Sequence, residues 1–379
     1  MGLFAKKITS AALAATMTLT ALPISAFFVS TTAAAEPTGS GFVYANGTRF
    51  MLDGSPFYYA GTNCYYLTFK SQDAVDNVFK DAEAMGLKVI RVWGNLDVGV
   101  KTGTTDSEGK PVFTNNNDGP GEKDGIYFQY FDKDLGKPVT NFGEDGIKKL
   151  DYALYQAEKH GIKLLITFTN YWDAFGGMGQ YVNWAEEIGI TGLQKEDFYT
   201  NETLKGWYKD YVNGLLNHTN PYTNRKLKDE PSVFAWELAN EPRCKTDAQC
   251  KDNILYNWAK EMSEYVKSID PNHMVSLGDE GFYNKPYGYY NEYTTSNYAF
   301  YGAEGVDFEK LMTIDTLDFG TPHLYLDQWG MKHTGTGQDD LLWFKIHGET
   351  CAALDKPVIL EEFGLTDRSI RNDEYEQWF

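Results

Sequence analysis

The stretch from Val233 to Cys244, VFAWELANEPRC, sets two glutamates, Glu237 and Glu241, four residues apart in an apolar run that breaks at Pro242. A carboxylate buried in such a run is unfavourable by several kcal/mol unless it is paired or put to use. Read as a strand, the run divides by parity. Phe234, Trp236 and Leu238 share one side and are expected to face helices; Ala235, Glu237, Ala239 and Glu241 share the other and are expected to face inward. Glu241 then stands at the C-terminal end of the strand, where parallel barrels carry their chemistry, and Glu237 lies deeper, as a paired support whose partner the run does not name.

Six further runs have the same β-rich character: FYYAGTN (57–63), KVIRVWG (88–94), KLLITFTN (163–170), HMVSLGDEGF (273–282), LDFGTPHLY (317–325) and PVILEEFG (357–364). Between them lie segments with apolar residues at three- and four-residue spacing, at 74–86, 146–161, 203–218, 254–270 and 341–354. Alternation of strands and helices implies a parallel sheet, and about seven such units imply a closed α/β barrel rather than an open sheet. Trp236, Trp258 and Trp343 fall in these periodic patterns and are expected in the core.

The first 35 residues stand apart. A basic start (MGLFAKK), an apolar run broken by Pro23 and a small-residue stretch ending near Ala35 read as a secretory signal peptide, with a membrane anchor as the rival reading. The rest, 36–379, reads as one catalytic domain, secreted and extracellular. The chain carries a net charge of −19, which disfavours nucleic acid and anionic membranes as partners and suits a neutral substrate. In an oxidising compartment the four cysteines can pair; Cys244 and Cys250 close a short loop after the opening stretch and are the first expectation, with Cys64 and Cys351 as an open second. The six histidines show no ligand-like spacing, so no zinc site is expected. The stretch 104–125 superficially suggests a calcium loop, but its Asp/Asn spacing misses the ligand pattern, and it reads as a long loop beside the cleft.

Polar groups cluster at the strand ends. Arg91 stands beside Trp93; Asn170 and Trp172 follow the third strand; Asn240 precedes Glu241; Glu280 closes the fifth, His323 and Tyr325 the sixth, and Glu361 and Glu362 the seventh. Two carboxylates on different strands suggest glycoside hydrolysis, one as proton donor and one acting opposite it at the anomeric carbon. Parity does not choose between Glu361 and Glu362.

WELANEPRC and VILEEFG resemble the acid/base and nucleophile strands of glycoside hydrolase family 5. RVWG, NYWDAFGGMGQYVNW (170–184), LGDEGFY (277–283) and VDFEKLMTIDTLDFGTPHLYLDQW (306–329) narrow the resemblance to its endo-β-1,4-mannanases. It implies an eight-stranded (β/α) barrel and hydrolysis of β-1,4-mannan with retention, without a cofactor, by a monomer. Glu241 would be the acid/base and Glu362 the nucleophile. Arg91 would orient the nucleophile, Asn240 would hold the sugar 2-hydroxyl, Tyr325 and His323 would join the same network, and Trp172 and Trp329 would line the cleft, with Trp93 and Glu280 as further substrate contacts. Only 17 residues follow Glu362, so the eighth strand of such a barrel is expected to be missing. The rival readings are a β-glucanase on the same barrel and a non-catalytic polysaccharide-binding protein, whose signature would be loss of Glu241 or Glu362.

Overall fold

A computed structural model describes residues 39–117, 123–245, 253–286, 289–290, 297–331 and 339–378. The expected signal peptide, Cys250 and part of the 104–125 stretch lie outside these residues. The strands are β1 (Val43–Asn46), β2 (Arg49–Leu52), β3 (Ser55–Pro56), β4 (Gly61–Asn63), β5 (Val89–Trp93), β6 (Asp97–Thr105), β7 (Pro111–Thr114), β8 (Gln129–Asp132), β9 (Lys137–Thr140), β10 (Lys163–Thr167), β11 (Val233–Glu237), β12 (Met274–Ser276), β13 (His323–Leu324) and β14 (Glu362–Phe363). The helices are α1 (Gln72–Ala84), α2 (Lys148–His160), α3 (Gly177–Glu186), α4 (Glu202–Asn217), α5 (Ile254–Ile269), the short α6 (Phe308–Leu311) and α7 (Leu326–Trp329), α8 (Asp339–Ala353) and α9 (Arg371–Trp378).

Strands β4, β5, β10, β11 and β12 pair side by side, all parallel, and β13 and β14 form a second parallel pair. Backbone bonds from Asp318 N to Val275 O (2.8 Å) and from His323 N to Glu280 O (3.1 Å) carry the order from β12 to β13. The result is an α/β barrel whose helices come from the segments the spacing singles out. Helix starts follow side-chain caps: Ser71 accepts from Ala74 N before α1, and Asn201 accepts from Thr203 N and Leu204 N before α4. In α5 the buried residues Leu255, Trp258, Ala259, Met262 and Val266 make one stripe against the sheet.

The floor of the barrel is closed by the hairpin of β1 and β2, whose Val43, Ala45 and Phe50 pack with Val89, Leu165, Phe234, Ala235, Met274 and Phe319. Phe234 thus lies on the inner side, where strict alternation would not put it. Val233 and Ala235 oppose the consecutive residues Leu164 and Leu165, so Phe234 is the extra residue of a bulge and the parity slips there. From Trp236 onward the alternation holds: Trp236 stacks on Phe168 and bonds Asp270, while Glu237 enters the lumen. The stretch 104–125 also departs from expectation, since six of its residues, Thr104–Thr105 and Pro111–Thr114, close a β6–β7 hairpin. It belongs to a four-stranded sheet, β7-β6-β8-β9, inserted between β5 and α2.

Between β4 and β14 no ladder bonds form among the described residues. Asn63 Nδ2 donates to Glu361 O (2.9 Å) across that gap, and a cavity of about 840 Å³ opens there, lined in part by Tyr59, Asn63, Trp93, Leu360, Phe363 and Trp378. On the opposite side the approach is tight. Gly278 has φ +84°, and a Cβ there would lie 2.2 Å from Ala239 O and 2.5 Å from Glu237 Cδ. Gly278→Ala is therefore expected to lose at least about 2 kcal/mol of stability, from backbone strain and overpacking together. Urea denaturation checks this; a change below about 0.5 kcal/mol would contradict it.

Candidate active site

Arg91 answers the opening question about Glu237. It points from β5 into the lumen, and all five of its N–H groups are used. Nε donates to Glu237 Oε2 (3.1 Å), Nη2 to Glu237 Oε1 (2.6 Å) and to Asn240 Oδ1 (2.8 Å), and Nη1 to Asn63 Oδ1 (3.3 Å) and to Glu362 Oε1. A planar fork of fixed donors suits such a task, and a lysine could not copy it. Expected to orient the carboxylate at 362, Arg91 is found bonded to Glu362 and saturated by protein groups beneath the site. Glu237 also accepts from Thr167 Oγ1. Its burial outweighs Arg91, the nearby Glu361 adds to the effect, and its pKa rises to about 8.

Glu361 and Glu362 follow each other at the end of the seventh strand and have different surroundings. Glu362 reaches the rim: Oε1 accepts from Arg91 and Oε2 from the Tyr325 hydroxyl (2.8 Å). Burial alone would raise its pKa, but the His323 and Arg91 charges and these hydrogen bonds bring it to about 2. Glu361 is buried below, with Oε2 at 3.1 Å from His323 Nε2 and 3.4 Å from Arg91 Nε.

Glu241 sits at φ +48°, an uncommon conformation for a residue with a side chain. Its amide donates to Gly278 O (2.8 Å), and the turn aims the carboxylate across the barrel mouth. Oε1 is 2.8 Å from His323 Nδ1, and Oε2 accepts from the Trp172 indole N–H. One oxygen of Glu241, one ring nitrogen of His323 and one oxygen of Glu362 lie within 4.8 Å of one another. These three could ligate a metal. However, both Glu362 oxygens already accept hydrogen bonds, and His323, whose pKa is pushed well above the usual value by the carboxylates around it, has no free lone pair as an imidazolium.

The other expected residues divide between mouth and core. Trp172 is 37% exposed on the rim, its ring faced by Arg243 and Lys245 at 5.1 and 5.6 Å. Trp93 lies below the mouth with the Arg91 guanidinium 5.0 Å from its ring. Asn240 gives Oδ1 to Arg91 and bonds Asn170 Oδ1 through Nδ2 (3.0 Å). Glu280, expected to meet substrate, is buried and gripped at both oxygens by Arg243; burial and the Glu241 charge raise its pKa to about 8. Trp329, expected to line the cleft, is buried among Phe282, Tyr325 and Trp343, because α7 turns its ring inward. Arg243, Asn63 and Thr167 complete the network without having been singled out as site residues, and Glu361, which parity left open beside Glu362, joins it. Of these three, Arg243 carried a signal, as the one cation of the opening stretch, directly after the Glu241 turn. Cys244 is disulfide-bonded, while Cys64 and Cys351 are free thiols, which removes the second pairing.

Residues 40–376 match the family described as GH family 5 beta-mannosidase-like. The chain belongs to this glycoside hydrolase family. Among its relatives, the probable mannan endo-1,4-beta-mannosidase F of Aspergillus oryzae is 39% identical over 86% of this family 5 chain and 60% of the relative. The probable mannan endo-1,4-beta-mannosidase A of Aspergillus flavus is 37% identical over 95% of this chain and 81% of the relative. The chain thus spans about 60% of the length of the first of these relatives. Among solved structures, the endo-1,4-beta-mannanase from Rhizomucor miehei aligns with a TM-score of 0.74 at 37% identity, covering 89% of this chain and 86% of that one.

Proposed function

We propose that this family 5 protein is a secreted, monomeric, retaining endo-β-1,4-mannanase, acting on mannan, glucomannan and galactomannan. The observation that carries the reading is the pair Glu241 and Glu362. They lie close enough for double displacement, which needs carboxyls about 5–5.5 Å apart, rather than the wider spacing that admits a water between them. In the first step a Glu362 oxygen attacks the anomeric carbon while Glu241 gives its proton to the departing glycosidic oxygen. In the second, Glu241 takes a proton from water, which attacks the same carbon and releases Glu362.

The surrounding residues serve these steps. Arg91 and Tyr325 keep Glu362 ionised and aimed. Asn240 Nδ2 has one hydrogen on Asn170 and a second to offer the sugar 2-hydroxyl, and Trp172 presents a flat face to a neighbouring sugar ring. The printed names of the relatives favour mannan over cellulose. The test is reducing-end release from mannan, galactomannan, glucomannan and cellulose, with the anomer of the first product read by proton NMR. The β-anomer from mannan is expected. Faster cleavage of cellulose would overturn the substrate, and an initial α-anomer the mechanism.

A further inference from the structure

Glu361 takes no part in the reaction as written, yet it is the inner member of a continuous chain, Glu361–His323–Glu241, running from just below the rim to the acid/base. His323 is fully enclosed between them, with Nε2 on Glu361 Oε2 (3.1 Å) and Nδ1 on Glu241 Oε1 (2.8 Å). A neutral imidazole can donate from one nitrogen only, so two carboxylates are both satisfied only by the doubly protonated ring. We propose that Glu361 is a positioning residue for the acid/base, acting through His323: its anion keeps the ring an imidazolium, which holds Glu241 by Oε1, so that Oε2, where the Trp172 indole N–H also donates, carries the transferable proton. This rests on the reading of Glu241 as the acid/base.

The groups facing His323 agree with that charge. Glu241 approaches from the end of β11, Glu361 and Glu362 from the seventh strand (Glu362 at 3.7 Å), and Asp279 and Glu280 from the turn after β12. The cations are spent elsewhere, Arg91 on Glu237, Glu362 and, at 3.4 Å, Glu361, and Arg243 on Glu280 and Glu304. The imidazolium is therefore the positive charge that serves Glu241. A glutamine at 361 fits the same space, keeps an acceptor for Nε2 and offers an amide to Glu237, but it removes the charge.

The test uses the full chain labelled with ¹⁵N-histidine, its ring signals assigned by their loss in His323→Gln. In the wild type both His323 nitrogens are expected at imidazolium shifts from pH 5 to 8. In Glu361→Gln the ring is expected to titrate inside that window, between about pH 5 and 8. The kcat/KM profile on mannan should gain the same ionisation, with a ~10-fold loss at pH 8. Glu361→Asp, which keeps the charge, should keep the ring protonated. A neutral His323 in the wild type at pH 7 overturns the proposal whether or not the variants fold. So does a Glu361→Gln ring that stays charged, or a Glu361→Gln profile identical to that of the wild type. The spectra need no substrate, so a charged His323 in a chain that fails to cleave mannan would count against the mannanase reading and not against the charge on the ring.

Discussion

Glu362→Ala is expected to lower kcat on mannan by about four orders of magnitude or more, with far-ultraviolet circular dichroism unchanged. The size follows from the proposed two-step reaction, in which there would be no covalent intermediate without the carboxylate, and the neighbouring Glu361 is too deep to replace it. Glu361 is buried beneath His323, whereas Glu362 stands at the rim between Arg91 and Tyr325. The methyl group leaves space on that side of the sugar, so azide with an activated aryl β-mannoside should restore turnover and yield the α-mannosyl azide. In that reaction azide bonds to the anomeric carbon as the phenolate departs, and the configuration inverts once. Normal activity in Glu362→Ala, or a β-azide product, would remove Glu362 from the role.

The residues that make this expectation specific were only partly legible in the sequence. Apolar runs with single polar residues at their ends located β5, β10 and β11 well, because a parallel strand buried on both faces has few sequence alternatives. Parity placed Glu237 in the lumen correctly, and the bulge that moved Phe234 inward left the later residues in register. The four-stranded insertion was missed because much of β6 is exposed Lys, Thr and Gly, without the alternation that burial imposes. Glu361 and Glu362 could not be told apart by parity, since the strand there is irregular and both side chains reach the same network from different depths. Trp329 and Glu280 were misplaced for a shared reason. Each lies just beyond a strand, where local turns decide direction, and each finds a partner that is remote in sequence: a core of aromatic rings for Trp329 and Arg243 for Glu280.

Arg91→Lys is expected to cost about 3–5 kcal/mol of stability and most of the activity, although it keeps the charge. Arg91 satisfies Glu237, Glu362, Asn63 and Asn240 together through five donors in a plane. A lysine has three donors converging on one point, so at least one buried carboxylate would lose its partner. The pH dependence gives a second readout. Glu362 has its pKa lowered from 4.5 to about 2, so its contribution to stability is present above pH 4.5 and is lost as the pH falls through about 2. Glu237 works in the opposite sense: its pKa is raised to about 8, so the stability linked to its proton is full below pH 4.5 and is lost as the pH rises through about 8. With Arg91 replaced, both carboxyls hold their protons more tightly. The acid loss from Glu362 should then be complete at a higher pH and be smaller, and the alkaline loss from Glu237 should extend further. Urea denaturation of wild type and variant from pH 3 to 9 measures this. A stability difference below about 1 kcal/mol at neutral pH would mean that Arg91 is not the common partner of the buried carboxylates, and that Glu362 is held ionised by His323 and Tyr325 alone.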